Sequence, residues 1–304
     1  MEEIVIKVKD FQKTYGDLIA VEEISFEVNR GEIFGLLGPN GAGKTSTLES
    51  LEGLRKPDGG MLGVGGIDPS RQPRRLRSLI GVQLQTSSLP PAMTVEEAMV
   101  FFCRYHGVKP RNDLIERLGL SESRKNQYIR LSAGQQRRLV LAIAVAHDPK
   151  VLFLDEPTAG LDVQSRVELH ALIGEMRAKG ATVILATHDM AEAEKLADRA
   201  AILLSGAIAA EGSPRQLTAA GSRKTRISVA TENGSLVSKK AAFPDAAFDG
   251  ESEGYALYIS DSPGRAVTAI LSWLEKEKDG LIDLRVERPS LEERFLEITK
   301  GGAA

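Results

Sequence analysis

The chain has little cysteine, no large excess of charge of either sign and no long apolar run. Its single cysteine, Cys103, cannot form an internal disulfide, which favours a reducing compartment, and we interpret it as a small buried apolar residue. The net charge is −3, so no strong field draws the protein to nucleic acid or to an anionic membrane. No apolar run approaches the ~20 residues that span a bilayer. A role at a membrane would therefore need a separate partner.

The remaining composition is that of an ordinary globular protein. Apolar residues make up 42% of the chain and charged residues 27%, and 304 residues are enough for about two domains. The segment Met1–Glu3 is acidic and opens no apolar stretch, so we expect no secretory signal. These features favour a cytoplasmic location.

Strands and helices alternate through the first two thirds of the chain, which predicts a mainly parallel sheet with helices on both faces. The sequence Thr94-Val95-Glu96-Glu97 is a capping box that opens a helix toward His106. The strands are predicted at 4–8, 24–28, 32–37, 79–84, 151–154, 182–186 and 200–204, and the other helices of this part at 43–51, 164–178 and 189–197. In the last third we predict strands at 225–230, 255–259 and 281–286 and a helix at 265–276.

Two composition changes divide the chain further. A helical stretch of about 60 residues, from about 88 to 148, separates two predicted core strands and is too long for a simple connection, so we expect a subdomain. A second change near 217–223 predicts a boundary between a domain at 1–220 and an accessory α+β domain at 221–304. The accessory domain ends in another capping box, Ser290-Leu291-Glu292-Glu293, and shows no catalytic cluster.

The segment Gly38–Thr45 matches the phosphate-loop pattern G-x-x-x-x-G-K-[ST] in the required context, after an apolar strand and before a helix. Its glycines let backbone N–H groups turn toward phosphates. Lys44 is expected to reach the β- and γ-phosphates, and the Thr45 hydroxyl to bind Mg²⁺. The loop predicts binding of a nucleoside triphosphate, and many classes of protein share it.

Two adjacent carboxylates end the apolar run Val151–Leu154. Side chains alternate along a strand, so Asp155 and Glu156 point in different directions and can take different roles. Asp155 is predicted to hold Mg²⁺ through water, and Glu156 to activate the attacking water as a general base. The alternative for Glu156 is a carboxylate that only forms an ion pair.

Three further candidates lie at strand ends or turns. His188 follows the strand at 182–186, where it could hydrogen-bond the γ-phosphate, although a lone histidine is more often structural. Gln85 closes the strand at 79–84 and is either a polar cap or a ligand of Mg²⁺ or water. Tyr15 lies in a turn and either stacks on adenine or packs locally.

A serine- and glycine-containing segment, Leu131–Gln136, opens a basic helix ahead of the strand that carries Asp155. With the phosphate loop, Gln85, Asp155-Glu156, the segment Ala159–Asp162 and His188, it resembles the ATP-binding subunit of ABC transporters over about residues 4–217. We call residues 131–135 of this segment the signature, as in that family; its third residue is Ala133, where the commonest family form has glycine. The cofactor-binding residues that the resemblance and the loop together imply are Tyr15, Gly38, Asn40, Gly41, Ala42, Gly43, Lys44, Thr45, Ser46, Gln85, Ser132, Gly134, Gln135 and Asp162.

The resemblance implies a P-loop NTPase core of α/β class, with an N-terminal antiparallel β subdomain, a helical insertion and a small C-terminal α+β domain. It implies ATP and Mg²⁺ as cofactors, with Thr45, Gln85 and Asp155 at the metal, and Glu156, His188 and Lys44 as catalytic residues. Two subunits, identical or similar, would dimerise head to tail, so that the loop of one and Ser132 of the other hold each ATP. A separate membrane permease would be the partner, at the inner face of the membrane.

The segment Arg288–Leu296 resembles the ending of exporter ATPases of the daunorubicin and multidrug-resistance type, which favours export over import. Another possibility is an ABC protein of DNA repair or translation, although a single phosphate loop and no heptad array argue against it. A third is a non-catalytic switch, which Glu156 and His188 disfavour. No nucleic-acid partner is expected, and the basic run Arg71, Arg74, Arg75 and Arg77 is interpreted as a solvated helix face.

Overall fold

The computed structural model describes residues 3–86, 89–220, 225–287 and 289–301. Arg288 of the exporter-like segment and residue 88, where the helical insertion was expected to begin, lie outside these ranges. The chain forms two compact units, Met1–Pro214 and Arg215–Ala304. In the described residues no helix has both the length and the apolar character needed to cross a membrane.

The first unit alternates strands and helices. Its elements in chain order are β1 (Ile4–Tyr15), β2 (Leu18–Asn29), β3 (Ile33–Leu37), α1 (Lys44–Leu51), β4 (Gly59–Val64), α2 (Pro73–Arg77), β5 (Ile80–Gln83), α3 (Val95–Tyr105), α4 (Asn112–Arg117), a 3₁₀ turn (Tyr128–Arg130), α5 (Ala133–Val145), β6 (Val151–Asp155), α6 (Val163–Ala178), β7 (Thr182–Thr187), α7 (Met190–Leu196), β8 (Arg199–Leu204) and β9 (Ala207–Gly212). A further helix, α8 (Pro214–Ala219), begins at its end.

The central six-stranded sheet has the order β5-β6-β7-β3-β8-β9 and is parallel except for the β8–β9 pair. All residues of β3, β6 and β7 are buried, because helices cover both faces, and their near-continuous apolar sequence reflects this. The three strands are neighbours, so their carboxyl ends open at one edge. The prediction of a mainly parallel sheet is confirmed.

A separate antiparallel sheet of order β2-β1-β4 stands at the N-terminus, as the resemblance implied. The helices between β5 and β6 pack against one face of the central sheet, and together they form one apolar core. Helix α3 begins at the expected capping box of Thr94 and Glu97. The four arginines at and beside α2 are exposed, as expected of a solvated face.

The second unit is an α+β fold. After α8 its elements are β10 (Thr225–Thr231), α9 (Ser235–Ser238), β11 (Ala247–Ser252), β12 (Tyr255–Ser260), α10 (Pro263–Glu277), β13 (Leu281–Glu287) and α11 (Leu291–Gly301). Its antiparallel sheet has the order β11-β12-β10-β13, and its core includes Ile227, Tyr258 and Ile270. The Ser290–Glu293 capping box is present in both directions, at 3.3 and 3.1 Å.

Several strand bounds differ from the prediction. The strand expected at 79–84 covers only Ile80–Gln83, so Gln85 follows it by two residues instead of closing it. The N-terminal strands are far longer than predicted, because they pair along their length as a hairpin around Gly16. Strands β4, β9 and β11 were not predicted: glycine and exposed alternating residues conceal their pattern, and pairing with neighbouring strands forms them.

Gly81 offers a test of the packing between β5 and α5. A Cβ at this position would overlap the Ala144 carbonyl oxygen and lie 2.9 Å from Pro149 Cγ. Gly81→Ala should therefore destabilise the protein by about 1–3 kcal/mol, measured by chemical unfolding.

Gly174→Ala is the matched control for this prediction. Gly174 lies in α6 with nothing within 4 Å of its ideal Cβ, so the alanine should raise stability by about 0.5–1 kcal/mol through helix propensity. Equal effects of the two alanines would contradict the packing described here.

Candidate functional site

The phosphate loop connects β3 to α1 at the open edge of the central sheet. Gly43 has φ of 102°, and a Cβ there would lie 2.6 Å from the Ala20 carbonyl oxygen, so conformation and space both require glycine. Lys44 is the first residue of α1, and its side chain turns back into the loop. The loop therefore has the form that the sequence predicts.

Lys44 is buried beside two carboxylates. Its ammonium donates to the carbonyl oxygens of Gly38 at 2.7 Å and Pro39 at 3.1 Å, and lies 3.7 Å from Glu156 Oε1. Burial lowers the pKa of Lys44, while Glu156 and Asp155 act in the opposite direction. The cation is held at the centre of the loop, where it would meet phosphate oxygens.

Asp155 and Thr45 form one oxygen-rich corner of the site. The Thr45 hydroxyl donates to Asp155 Oδ2 at 2.8 Å, whereas the buried Oδ1 has no hydrogen-bond partner in the described residues. Burial raises the pKa of Asp155, against the lowering effect of the Thr45 hydrogen bond. A hydroxyl and a carboxylate oxygen are the hard donors that Mg²⁺ prefers, so these residues fit that ion.

Glu156 points away from Asp155, toward His188. Its Oε2 lies 2.7 Å from His188 Nδ1, and its buried Oε1 has no hydrogen-bond partner among the residues described. The backbone of Glu156 has φ of 49°, a left-handed conformation that is uncommon for glutamate, and its N–H donates to the Ala186 carbonyl of β7. The two adjacent carboxylates thus face different partners, as the strand geometry predicts.

Arg137 contacts Glu156 and was not predicted from the sequence. Its guanidinium reaches from α5 to the Glu156 carbonyl oxygen at 2.6 Å and so holds the strained backbone of the candidate base. The sequence shows only that the helix after Leu131 is basic, and nothing in the spacing singles out Arg137 from Arg138. The contact depends on the tertiary packing of α5 against the end of β6.

A cavity of about 280 Å³ lies over the loop and brings several predicted residues together. It is lined by Tyr15, Gln85, Glu156 and the loop residues 40–46. The Tyr15 hydroxyl is 3.4 Å from Ser46 Oγ, the residue is 39% exposed, and Lys13 and Arg55 lie near the face of its ring. A half-exposed tyrosine at the cavity wall suits stacking on a base.

The signature residues lie outside this cavity. Ser132 is exposed and caps α5: its hydroxyl accepts from Gln135 N at 3.2 Å, and Gln135 Oε1 accepts from Ser132 N at 2.9 Å. Gln135 also donates to Ser123, so its side chain is occupied within the insertion. A Cβ at Gly134 would lie 3.9 Å from Leu161, an ordinary contact.

Asp162 likewise acts as a helix cap. It accepts hydrogen bonds from Ser165 N and Ser165 Oγ, both at 2.8 Å, and these bonds lower the pKa of Asp162. The predicted cofactor-binding set therefore separates into two groups within one chain: one group around the loop cavity, and a second formed by Ser132, Gly134, Gln135 and Asp162.

Residues 21–159 match the family described as ABC transporter. The chain is 41% identical over 218 residues to a Nod factor export ATP-binding protein I of Burkholderia orbicola, covering 70% of this chain and 72% of that protein. It belongs to the ABC transporter ATP-binding family. A protein of the same name from Rhizobium etli is 41% identical, with 70% of this chain and 69% of the relative covered.

Solved structures show the same fold. A structure of an ATP-binding subunit of an ABC transporter aligns with a TM-score of 0.66 and 28% identity, over 70% of this chain and 91% of the other. A nucleotide-free ATP-binding cassette from an ABC transporter aligns with a TM-score of 0.60 over 69% and 91%, and at 24% identity shows the fold alone. This ABC ATPase therefore binds ATP, and nothing in these likenesses supports the alternative of DNA repair or translation.

The contact of Arg137 with Glu156 makes a testable prediction. Arg137→Gln should leave ATP affinity unchanged but lower kcat about tenfold, because the strained Glu156 backbone loses a charge-assisted hydrogen bond. Arg138→Gln removes the same charge from the next position of α5 and should change kcat less than about twofold. Equal losses of kcat would show that charge, and not this contact, matters.

Proposed function

We propose that this protein is the ATP-hydrolysing subunit of an exporter and works as half of a head-to-tail dimer. The observation that carries the proposal is the cluster of Lys44, Glu156 and His188 at the mouth of the buried strands, joined by contacts of 3.7 and 2.7 Å. Phosphoryl transfer to water depends mainly on positioning and charge stabilisation, which such a cluster supplies.

Glu156 is suited to act as the general base. His188 contacts Oε2 and fixes the carboxylate, whereas Oε1 lies 3.7 Å from the Lys44 ammonium and has no hydrogen-bond partner in the described residues, so it would be the oxygen that accepts a proton from the attacking water. Lys44 would bind the β- and γ-phosphates, and Thr45 and Asp155 would hold Mg²⁺, with Gln85 beside them at the cavity. When bound, the metal neutralises charge on the phosphates.

The second subunit would complete each site. Ser132 and Gly134 are exposed or half-exposed at the start of a 13-residue helix and outside the cavity of their own chain. A helix N-terminus with a serine hydroxyl binds anions. We propose that it meets the ATP held by the loop of an identical or similar subunit, with Asp162 nearby.

The relatives named for Nod factor export support export as the direction of transport. A separate permease would then bind the subunit at the inner face of the membrane, where the helical insertion and Gln85 pass on the state of the nucleotide. Residues 1–220 would be the motor domain, and residues 221–304 an accessory domain.

Glu156→Gln tests the catalytic assignment. The variant should bind ATP with unchanged affinity but hydrolyse it about 100-fold more slowly or worse, since the amide cannot accept the proton. Size-exclusion chromatography with ATP should show a trapped dimer. Hydrolysis within about twofold of the unchanged protein would remove Glu156 as the base.

Mixing two inactive variants tests the shared site. Ser132→Arg should keep ATP binding yet abolish hydrolysis, and Lys44→Ala should lose tight ATP binding. In a mixed dimer one site combines the intact Lys44 with the intact Ser132, so an equal mixture should regain about a quarter of the normal rate. No recovery in the mixture would contradict a head-to-tail pair.

A further inference from the structure

Four arginines cluster at helix α2, on the surface of the first unit. The helix packs into the core through Leu76, which is fully buried, and the arginines at and beside it are exposed. The segment that carries them, residues 69–79, contains neither aspartate nor glutamate. We call this surface the arginine face, and its members are Arg71, Arg74, Arg75 and Arg77.

Most of the charge of the arginine face is not neutralised within the chain. Arg71 is its one member with an ion pair in the residues that the structure describes, to Asp68 at 3.2 Å. The Arg75 guanidinium donates to the neutral amide oxygen of Gln72 at 2.9 Å, which leaves its charge uncompensated. The whole chain has a net charge of −3, so this positive surface stands against an acidic remainder. A local concentration of charge attracts anions at close range even where the net charge does not.

An exposed leucine lies beside the arginine face. Leu54 is 55% exposed and lines one cavity together with Arg77. The turn that carries Leu54 packs against α2, because a Cβ on Gly53 would lie 3.2 Å from Leu76 Cδ2 and 2.9 Å from the Pro69 carbonyl oxygen. The surface therefore presents guanidinium groups and an apolar side chain next to each other.

This combination favours an anionic bilayer over other sources of phosphate. A bilayer offers phosphate oxygens to the guanidinium groups and, just below them, an apolar layer that an exposed leucine can enter. Proteins that bind single-stranded nucleic acid commonly add aromatic rings that stack on the bases, and residues 69–79 contain no aromatic residue. A single free phosphate needs convergent donors, whereas these arginines are spread over an exposed surface.

We propose that the arginine face binds the phosphate groups of anionic phospholipids, with Leu54 entering the leaflet beside them. The inference rests on the proposed function in one respect, since the permease would hold the subunit at the inner face of the membrane, where the leaflet is negatively charged. The contact itself needs no permease. It would orient the ATPase against the bilayer through lipid alone.

Vesicle sedimentation of the full-length protein tests this inference. Vesicles of phosphatidylcholine alone are compared with vesicles of equal parts phosphatidylcholine and phosphatidylglycerol. At low salt the protein should bind the anionic vesicles at least about tenfold tighter than the neutral ones, because several guanidinium groups face the charged surface. Raising NaCl from about 50 mM to about 300 mM should remove most of this preference through screening.

Three variants locate the contact. The double variant Arg74→Gln/Arg75→Gln should weaken binding to anionic vesicles about 25-fold, since each arginine near such a surface strengthens binding about fivefold. Its matched control, Arg265→Gln/Lys276→Gln, removes the same charge from exposed positions of α10 in the second unit and should change binding less than about twofold. Leu54→Ser should weaken binding about fivefold at both salt concentrations, because salt does not screen the insertion of an apolar side chain.

Equal binding of the two kinds of vesicle would overturn the inference, and so would equal losses in the two double variants. Two soluble probes address the other sources of phosphate. Release of the protein from the vesicles by inorganic phosphate, compared at constant ionic strength with chloride, would indicate a pocket for a single anion. Tighter binding of a single-stranded DNA oligonucleotide than of the anionic vesicles, with the same dependence on Arg74 and Arg75, would indicate nucleic acid. Either result would overturn the assignment to lipid.

ATP hydrolysis is measured on the same preparations without vesicles. Normal hydrolysis together with no preference for anionic vesicles counts against the lipid contact alone. Loss of hydrolysis in the unchanged protein counts against the proposed function.

Discussion

The structure of the site depends on three buried charges at the mouth of the central sheet. The side chains of Lys44 and Glu156 are each 6% exposed, and Asp155 is 2% exposed. Burying any one of these charges alone would cost several kcal/mol, so each is tolerated because the others lie beside it. The cation therefore requires both carboxylates, and the carboxylates require the fold that brings the phosphate loop to the end of β6.

That requirement explains the order of the strands. β7 lies between β6 and β3, so His188, the Asp155–Glu156 pair and the loop emerge from three adjacent strands at one edge. The left-handed backbone of Glu156 then turns its side chain from the strand axis toward His188. Two hydrogen bonds hold this conformation: the Glu156 N–H donates to the Ala186 carbonyl of β7, and the Glu156 carbonyl accepts from Arg137 of α5.

Local pattern predicted much of this arrangement. Three features could be predicted because the residues that define each lie within about ten positions of one another: the phosphate loop, the buried strand before Asp155 and the capping box of α3. The contact of Arg137 was not predicted, because it depends on how α5 packs. The capping role of Gln135 was not predicted either, because the family resemblance assigns this residue to cofactor binding. Strands β4 and β9 were missed because their glycines and exposed residues become strands only through their neighbours.

The capping box at the start of α5 is compatible with an anion site in the same place. A serine hydroxyl has two acceptor lone pairs and one donor hydrogen, so Ser132 can accept from Gln135 N and still donate its own proton outward. Gln135 in turn satisfies the Ser132 N–H, which fixes the turn without occupying the N–H groups of Ala133 and Gly134. The intrachain cap thus sets the conformation of the helix start, and the groups left over are the ones that a phosphate from a second subunit would need. The Cβ of Ala133 is exposed and adds bulk beside them, yet it removes no donor.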